Sequence, residues 1–152
     1  MGWTSVEEWD RLKAGLGCPM CADIHLDENE FSYKVIEFEH TYVRLPKNQY
    51  QRGWTLVVLK RHANELFELT EVELGAFWRD VARVAQALDH VYRPAKINYS
   101  VLGNLCPYVH CHLILQTFDH DPHTPVNIKA QVVLLEPGDY RAAIHALQQA
   151  CG

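Results

Sequence analysis

The run Pro107-Tyr108-Val109-His110-Cys111-His112-Leu113-Ile114-Leu115-Gln116 sets two histidines two residues apart among strand-forming neighbours. In an extended chain, side chains at i and i+2 leave the same face. Val109, Cys111, Leu113 and Leu115 are all apolar, so the odd positions are expected to enter a core. The even positions Tyr108, His110, His112 and Gln116 then line the opposite face, with Ile114 the one apolar residue among them. A row of titratable groups on a rigid element suits nucleophilic chemistry or metal binding.

The segments around this strand fix the fold class. Residues 96–102 read as a strand with Ile97, Tyr99 and Val101 on one face, and the Gly103-Asn104 turn should lay it beside the histidine strand. Upstream, Thr70-Glu71-Val72-Glu73 is a capping box. Leu74, Phe77, Trp78, Val81, Val84, Ala85, Leu88, Val91 and Tyr92 then recur at spacings of three and four until Pro94 stops the helix. Residues 31–37, 41–45 and 54–60 read as three further strands, with a polar loop over 46–53. A first helix is expected over about 5–15, capped by Thr4 or Ser5, followed by a turn over 17–21. After a His/Asp/Pro-rich loop at 119–125, residues 128–135 read as another strand and 137–150 as a closing helix, with Pro137 in its first turn. The class is α+β: a mostly antiparallel sheet, one long amphipathic helix, and helices at both ends. No repeat or linker divides residues 1–152, so one domain is expected.

Bulk properties exclude several function classes. Hydrophobic residues make up 48% and charged residues 22% of 152, ordinary for a globular protein with its own core. A net charge of −5 argues against binding to a nucleic-acid polymer, which favours a basic surface. No long apolar run or signal-peptide pattern appears, so neither membrane insertion nor secretion is expected. Five cysteines, an odd number without a secretion signal, argue against a disulfide framework and leave the cytoplasm as the default location.

The run Asn98-Tyr99-Ser100-Val101-Leu102-Gly103-Asn104, then Pro107 and His110-Cys111-His112-Leu113-Ile114, resembles the histidine-triad (HIT) nucleotide hydrolases and transferases. It is most similar to their bacterial diadenosine-polyphosphate hydrolase-like branch. The resemblance covers about residues 18–125, since Lys60-Arg61-His62 after a strand and the helix over 70–93 also match. It implies a HIT-like fold, a nucleotide substrate and commonly a homodimer. It also implies that His110, in the central position, is a covalent nucleophile. Two departures stand out: Tyr108 replaces the first triad histidine, and Leu115-Gln116 replaces the usual Pro-Arg.

The chemistry can be argued from the residues as well. A neutral imidazole can attack an α-phosphorus and split one difficult displacement into two easier ones. His110 must then be neutral near pH 7, with one ring nitrogen held by an acceptor so that the other presents its lone pair. His112, about 7 Å along the strand by its rise, is expected to donate to a phosphate oxygen or the leaving group. Asn104 is expected to donate an amide to a phosphate oxygen, and Gly103 to permit close backbone approach. Asn98 and Gln116 are further substrate-facing candidates, and the resemblance favours Asn98. The resemblance also implies that Asn48, in the loop before the third strand, faces the ribose, where the family more often has an acid. Tyr108 is counted with the substrate-facing residues, with packing or a hydrogen-bonding replacement for the missing histidine as the other reading.

Cys18-Pro19-Met20-Cys21 is half a zinc site. The resemblance supplies His62 as a third ligand, and Tyr108 fails the fourth position. Cys106 sits on a different register and is not counted as a ligand. The expectation is a possible structural zinc on Cys18, Cys21 and His62, or a metal-free remnant of such a site, with no cofactor required for the chemistry. Two other functions stay open. One is a metal-dependent hydrolase using His110, His112 and the Asp119-His120-Asp121-Pro122-His123 loop as ligands. The other is a nucleotide-binding module without turnover.

Overall fold

The computed structural model describes residues 2–152. Its elements, in chain order, are α1 (Val6–Lys13), α2 (Pro19–Asp23), β1 (Ser32–Glu37), β2 (Thr41–Pro46), β3 (Thr55–Leu59), α3 (Glu71–Tyr92), β4 (Lys96–Ser100), β5 (His110–Gln116) and α4 (Pro137–Cys151). A single 3₁₀ turn, Leu66–Glu68, precedes α3. The fold is α+β, as the sequence pattern indicates.

Local chemistry accounts for the element ends. Ser5 caps α1 by accepting the Glu8 N–H. At the start of α3 the Thr70 hydroxyl accepts the Glu73 N–H at 3.2 Å, and the Glu73 carboxylate accepts the Thr70 N–H at 2.8 Å. That carboxylate also receives Arg61 Nε and Nη2 at 2.6 and 2.9 Å, which together hold its pKa down to about 2. At the far end, Arg93 turns left-handed with φ of 49° and Pro94 follows.

The five strands form one antiparallel sheet in the order β1-β2-β3-β5-β4. β5 is an interior strand, between β3 and β4. Its odd positions behave as alternation requires: Cys111 and Leu113 are 0% exposed, and Leu115 is 2% exposed. With Val57, Leu59, Val43 and Leu45 they join Phe77, Val81, Val84 and Leu88 of α3 in the main core. Thr41 fastens this layer by donating to Asp80 of α3 at 2.7 Å. α4 packs on α3 and β1.

The other sheet face is covered by irregular chain. Arg44, 0% exposed, donates to the Ile24 and Leu26 carbonyls and to Ser32, holding the segment before β1 against the sheet. The strand expected at 128–135 is absent. This segment crosses the sheet as a strap, with Ile128 packed on Trp54 and Ile114. The sheet edges are β1 and β4, so a chain crossing the face meets no free strand to pair with. Asn48 satisfies the strap's backbone instead: its amide donates to the Gln131 carbonyl at 2.9 Å, and its oxygen accepts the Val133 N–H at 3.0 Å. Among the described residues, no helix is long and apolar enough to cross a membrane.

Candidate functional site

β5 places His110 and His112 on the strap-covered face, each 8% exposed. Strand pairing sets Val58 opposite His110, with Leu56 and Ser100 on either side of His112. Around the two imidazoles lies a cavity of about 500 Å³ whose walls include Ser100, Gly103, Asn104, Ile114, Ile128 and Lys129. The rings lean together rather than standing a strand repeat apart: their Nε2 atoms are 3.1 Å apart.

The partners of these rings define every proton. His110 Nδ1 lies 2.6 Å from the Tyr108 carbonyl, which only accepts, so Nδ1 carries hydrogen and Nε2 keeps its lone pair. Trp54 Nε1 lies 3.2 Å from His112 Nδ1, and an indole nitrogen only donates, so His112 Nδ1 is bare and its Nε2 carries the proton. The 3.1 Å contact between the rings is then His112 Nε2–H donating to the lone pair of His110 Nε2. Trp54 also stacks on His112, with centroids 5.7 Å apart. Burial lowers the pKa of both imidazoles, and Lys129 adds to the effect. His112, which also faces His110, is pushed down to about 3. Both rings are therefore neutral near pH 7. A neutral imidazole lone pair stands beside an N–H donor in a cavity closed by a lysine-bearing strap.

The remaining candidates divide. Gly103 and Asn104 line the histidine cavity as expected. Gly103 has φ of 143°, and a Cβ there would meet the Cys106 carbonyl at 3.2 Å, so glycine is needed for the turn. Asn98 and Gln116 bond to each other at 3.0 Å and line an adjoining cavity of about 470 Å³. That cavity shares Pro125 with the first and is closed by the 117–125 loop. Asn48 is not brought to the histidines, because both ends of its amide are engaged by the strap. The Tyr108 side chain does not line the histidine cavity either. Its hydroxyl donates to the Lys60 carbonyl at 2.8 Å, and its ring packs edge-on against His62.

Trp54, Ser100, Ile128 and Lys129 escaped the sequence reading. All depend on strand register or on the strap's path, and alternation along one strand reveals neither.

On the far side of Tyr108, Cys18, Cys21 and His62 place one ligand atom each within 4.8 Å of one another. Cys21 Sγ is 3.1 Å from His62 Nδ1. His62 Nε2 donates to Asn64 Oδ1 at 3.0 Å, which leaves Nδ1 bare toward the sulfurs, as a metal-ligating histidine requires. Asn64 cannot present its NH₂ instead, because that group donates to the Lys13 carbonyl at 3.1 Å. Two thiols and an oriented imidazole suit zinc, so the donor set fits a structural ion held by these residues. Cys106, not counted from the sequence, brings its Sγ to 3.6 Å from that of Cys18. Among the described residues this is the one cluster of three or more His, Cys, Asp or Glu close enough to share a metal. Asp119, His120, Asp121 and His123 lie around the neighbouring cavities and do not join His110 and His112.

The HIT domain model matches residues 28–119. An uncharacterized HIT-like protein of Methanocaldococcus jannaschii is 31% identical over 100 residues, covering 62% of this chain and 78% of its own. A crystal structure of a histidine triad protein from Bradyrhizobium japonicum superposes with a TM-score of 0.75 at 26% identity, over 86% of this chain and 98% of that one. A zinc-bound histidine triad family protein from Mycobacterium smegmatis shares the fold, with a TM-score of 0.66 at 19% identity over 90% of this chain and 94% of that one. With the whole five-stranded sheet and the long helix inside the matched span, this chain belongs to the HIT family.

Proposed function

We propose that the protein is a nucleotide hydrolase or nucleotidyltransferase acting at the α-phosphorus of a dinucleoside polyphosphate or a nucleoside phosphoramidate. One observation carries the reading: the hydrogen-bond chain Trp54–His112–His110–Tyr108 carbonyl keeps the His110 Nε2 unprotonated at the cavity wall, with its lone pair held by the His112 N–H that a phosphate oxygen can take over.

Substrate entry replaces the contact between the rings. A phosphate oxygen takes the His112 N–H and frees the His110 lone pair. His110 Nε2 then attacks phosphorus and forms a P–N bond as the bond from phosphorus to the leaving oxygen or nitrogen breaks. The imidazole becomes cationic, and its Nδ1–H, held by the Tyr108 carbonyl, spreads that charge. His112 donates to the phosphoryl oxygen or the departing group, and Asn104 and Lys129 offset the remaining negative charge. Attack by water or a second acceptor releases the nucleotide and restores neutral His110.

No metal enters these steps, and zinc at the cysteine cluster serves the fold. The Asn98–Gln116 cavity lies where a second portion of an extended substrate can rest. The net charge of −5 favours a small nucleotide over a nucleic-acid polymer. β4 is a sheet edge with Tyr99 exposed, which suits pairing with a second copy in a homodimer.

The test incubates the protein with diadenosine polyphosphates and with adenosine phosphoramidate, with and without chelator, and follows product and intact mass. The expected result is chelator-resistant turnover and a nucleotidyl adduct that disappears in His110→Ala. Full turnover in His110→Ala refutes the nucleophile. Nucleotide binding with no product from either substrate supports a binding module instead.

A further inference from the structure

We propose that Cys106 is the fourth ligand of a tetrahedral zinc site with Cys18, Cys21 and His62, and that the ion clips the phosphate-site turn to the N-terminal segment. The proposal does not depend on the nucleotide chemistry, although Cys106 also lines the histidine cavity.

The donors come from three separated stretches of chain: Cys18, Cys21 and His62 lie within 4.8 Å of one another, and Cys106 adjoins them through Cys18, so completing the site takes a closing shift of the Cys106 side chain toward Cys21 and His62. Around a tetrahedral ion with bonds of about 2.1–2.3 Å, ligand atoms stand roughly 3.4–3.8 Å apart. Cys18 Sγ and Cys106 Sγ are 3.6 Å apart, the length of one edge of such a tetrahedron. Cys21 Sγ and His62 Nδ1, at 3.1 Å, are slightly closer than such an edge and would part a little around an ion. The Cys21 backbone N–H already points at Cys18 Sγ from 3.4 Å, so the Cys-x-x-Cys turn has a ligand-holding shape. Asn64 fixes the His62 tautomer that leaves Nδ1 free.

Tyr108 is poorly suited to the fourth position. Its hydroxyl is committed to the Lys60 carbonyl, and its ring lies edge-on to His62 with centroids 5.1 Å apart. Cys106 reaches the cluster because it precedes β5 and is free of strand alternation. The turn at Gly103 folds residues 103–107 back toward α2. Three thiolates and one imidazole around Zn²⁺ carry one net negative charge, and the half-buried Cys106 is shielded from bulk water. Cys106 lies two residues after Asn104 and four before His110, so the ion would brace the turn that presents Asn104.

The experiment uses the full chain. Zinc is measured on protein purified without chelator; the protein is then stripped, reduced and titrated with Co²⁺ alone. The expected result is one ion per chain, with thiolate-to-cobalt absorption of three sulfurs. Cys106→Ser should lower that absorption by about a third, the share of one thiolate in three. It should also weaken zinc binding at least about 100-fold, more than loss of an outer-shell partner commonly costs. Tyr108→Phe should change neither. In wild-type protein, so that variant folding does not matter, bound zinc should protect Cys106 from alkylation together with Cys18 and Cys21. Equal alkylation of Cys106 with and without zinc, unchanged cobalt absorption in a folded Cys106→Ser, or a chain that takes up neither ion overturns the proposal. A Cys18–Cys106 disulfide in the freshly purified protein, read as a mass two hydrogens lighter, does so as well.

Discussion

Replacing Trp54 by phenylalanine removes one hydrogen-bond donor and keeps a ring against His112. The indole N–H is the partner that leaves His112 Nδ1 bare and puts the ring proton on Nε2, toward His110. Without it, the buried Nδ1 has lost its donor, and the other tautomer competes. That tautomer turns a bare Nε2 toward the bare Nε2 of His110, and no proton is left to give the phosphate. The bias lost is that of one neutral hydrogen bond, about 0.5–1.5 kcal/mol. At about 1.4 kcal/mol per factor of ten, turnover should slow by about 2- to 13-fold. His112→Ala removes the donor altogether and should cost about 10²–10⁴. Leaving a buried acceptor unpaired should also lower stability by about 1–3 kcal/mol.

Single-turnover hydrolysis measures the rate, urea unfolding the stability, and ¹⁵N chemical shifts of the imidazoles the tautomer. The expected pattern in the wild type is Nε2–H on His112 and Nδ1–H on His110, with the His112 populations mixed in Trp54→Phe. Wild-type His112 protonated on Nδ1 refutes the proton assignment. A Trp54→Phe rate equal to that of His112→Ala refutes the claim that Trp54 acts only by positioning.

Acid should destabilise the fold through the same pair. Both histidines are held below their unfolded pKa of about 6.5, so the unfolded chain binds more protons, and stability falls as pH drops from about 6.5 toward the His112 value of about 3. The slope is at most about 1.4 kcal/mol per pH unit for each group. Urea midpoints between pH 7 and 4 test this, and His112→Asn should flatten the curve; an unaltered slope in that variant contradicts the assignment. Asn104→Ala should cost about 10²–10³ in kcat with little change in stability, measured by steady-state kinetics beside thermal melts. Leu113→Ala, at the centre of β5, should cost about 2–5 kcal/mol in denaturant unfolding, whereas Phe118→Ala, 92% exposed, should stay within about 0.5 kcal/mol. Gly53→Ala should destabilise, since Gly53 has φ of 83° and a Cβ there would collide with Leu115.

Where a segment's periodicity is satisfied by its own neighbours, the sequence was legible. The α3 helix starts at its capping box and stops at Pro94 because those signals act within a few residues. The odd positions of β5 are core because nothing else in the fold competes for them. Residues 128–135 carry an apolar pattern that suits a strand, yet strand formation also needs a partner edge, which a single segment cannot reveal. Alternation marks the even face of β5 as a polar row but carries no sign of what covers it, and the strap closes it. That closure is what depresses both imidazoles and keeps them neutral.

Tyr108 shows most clearly how backbone and side chain divide the work of one position. The resemblance made its side chain the doubtful point, since a histidine is missing there. The contact that orients His110 is the backbone carbonyl of Tyr108, at 2.6 Å, and every residue type supplies a carbonyl. The Tyr108 side chain is engaged by the Lys60 carbonyl and the His62 ring. The tautomer of His110 is therefore insensitive to the substitution as long as the backbone path from Pro107 to Val109 holds. That path is fixed independently of the tyrosine: the Val109 N–H donates to the Ala63 carbonyl at 2.8 Å, and the Val109 carbonyl accepts the Leu59 N–H at 3.1 Å. The replacement thus spares the orientation of His110 and shifts its consequences to the cysteine cluster, where the side chain does reach and where Cys106 stands 3.6 Å from Cys18.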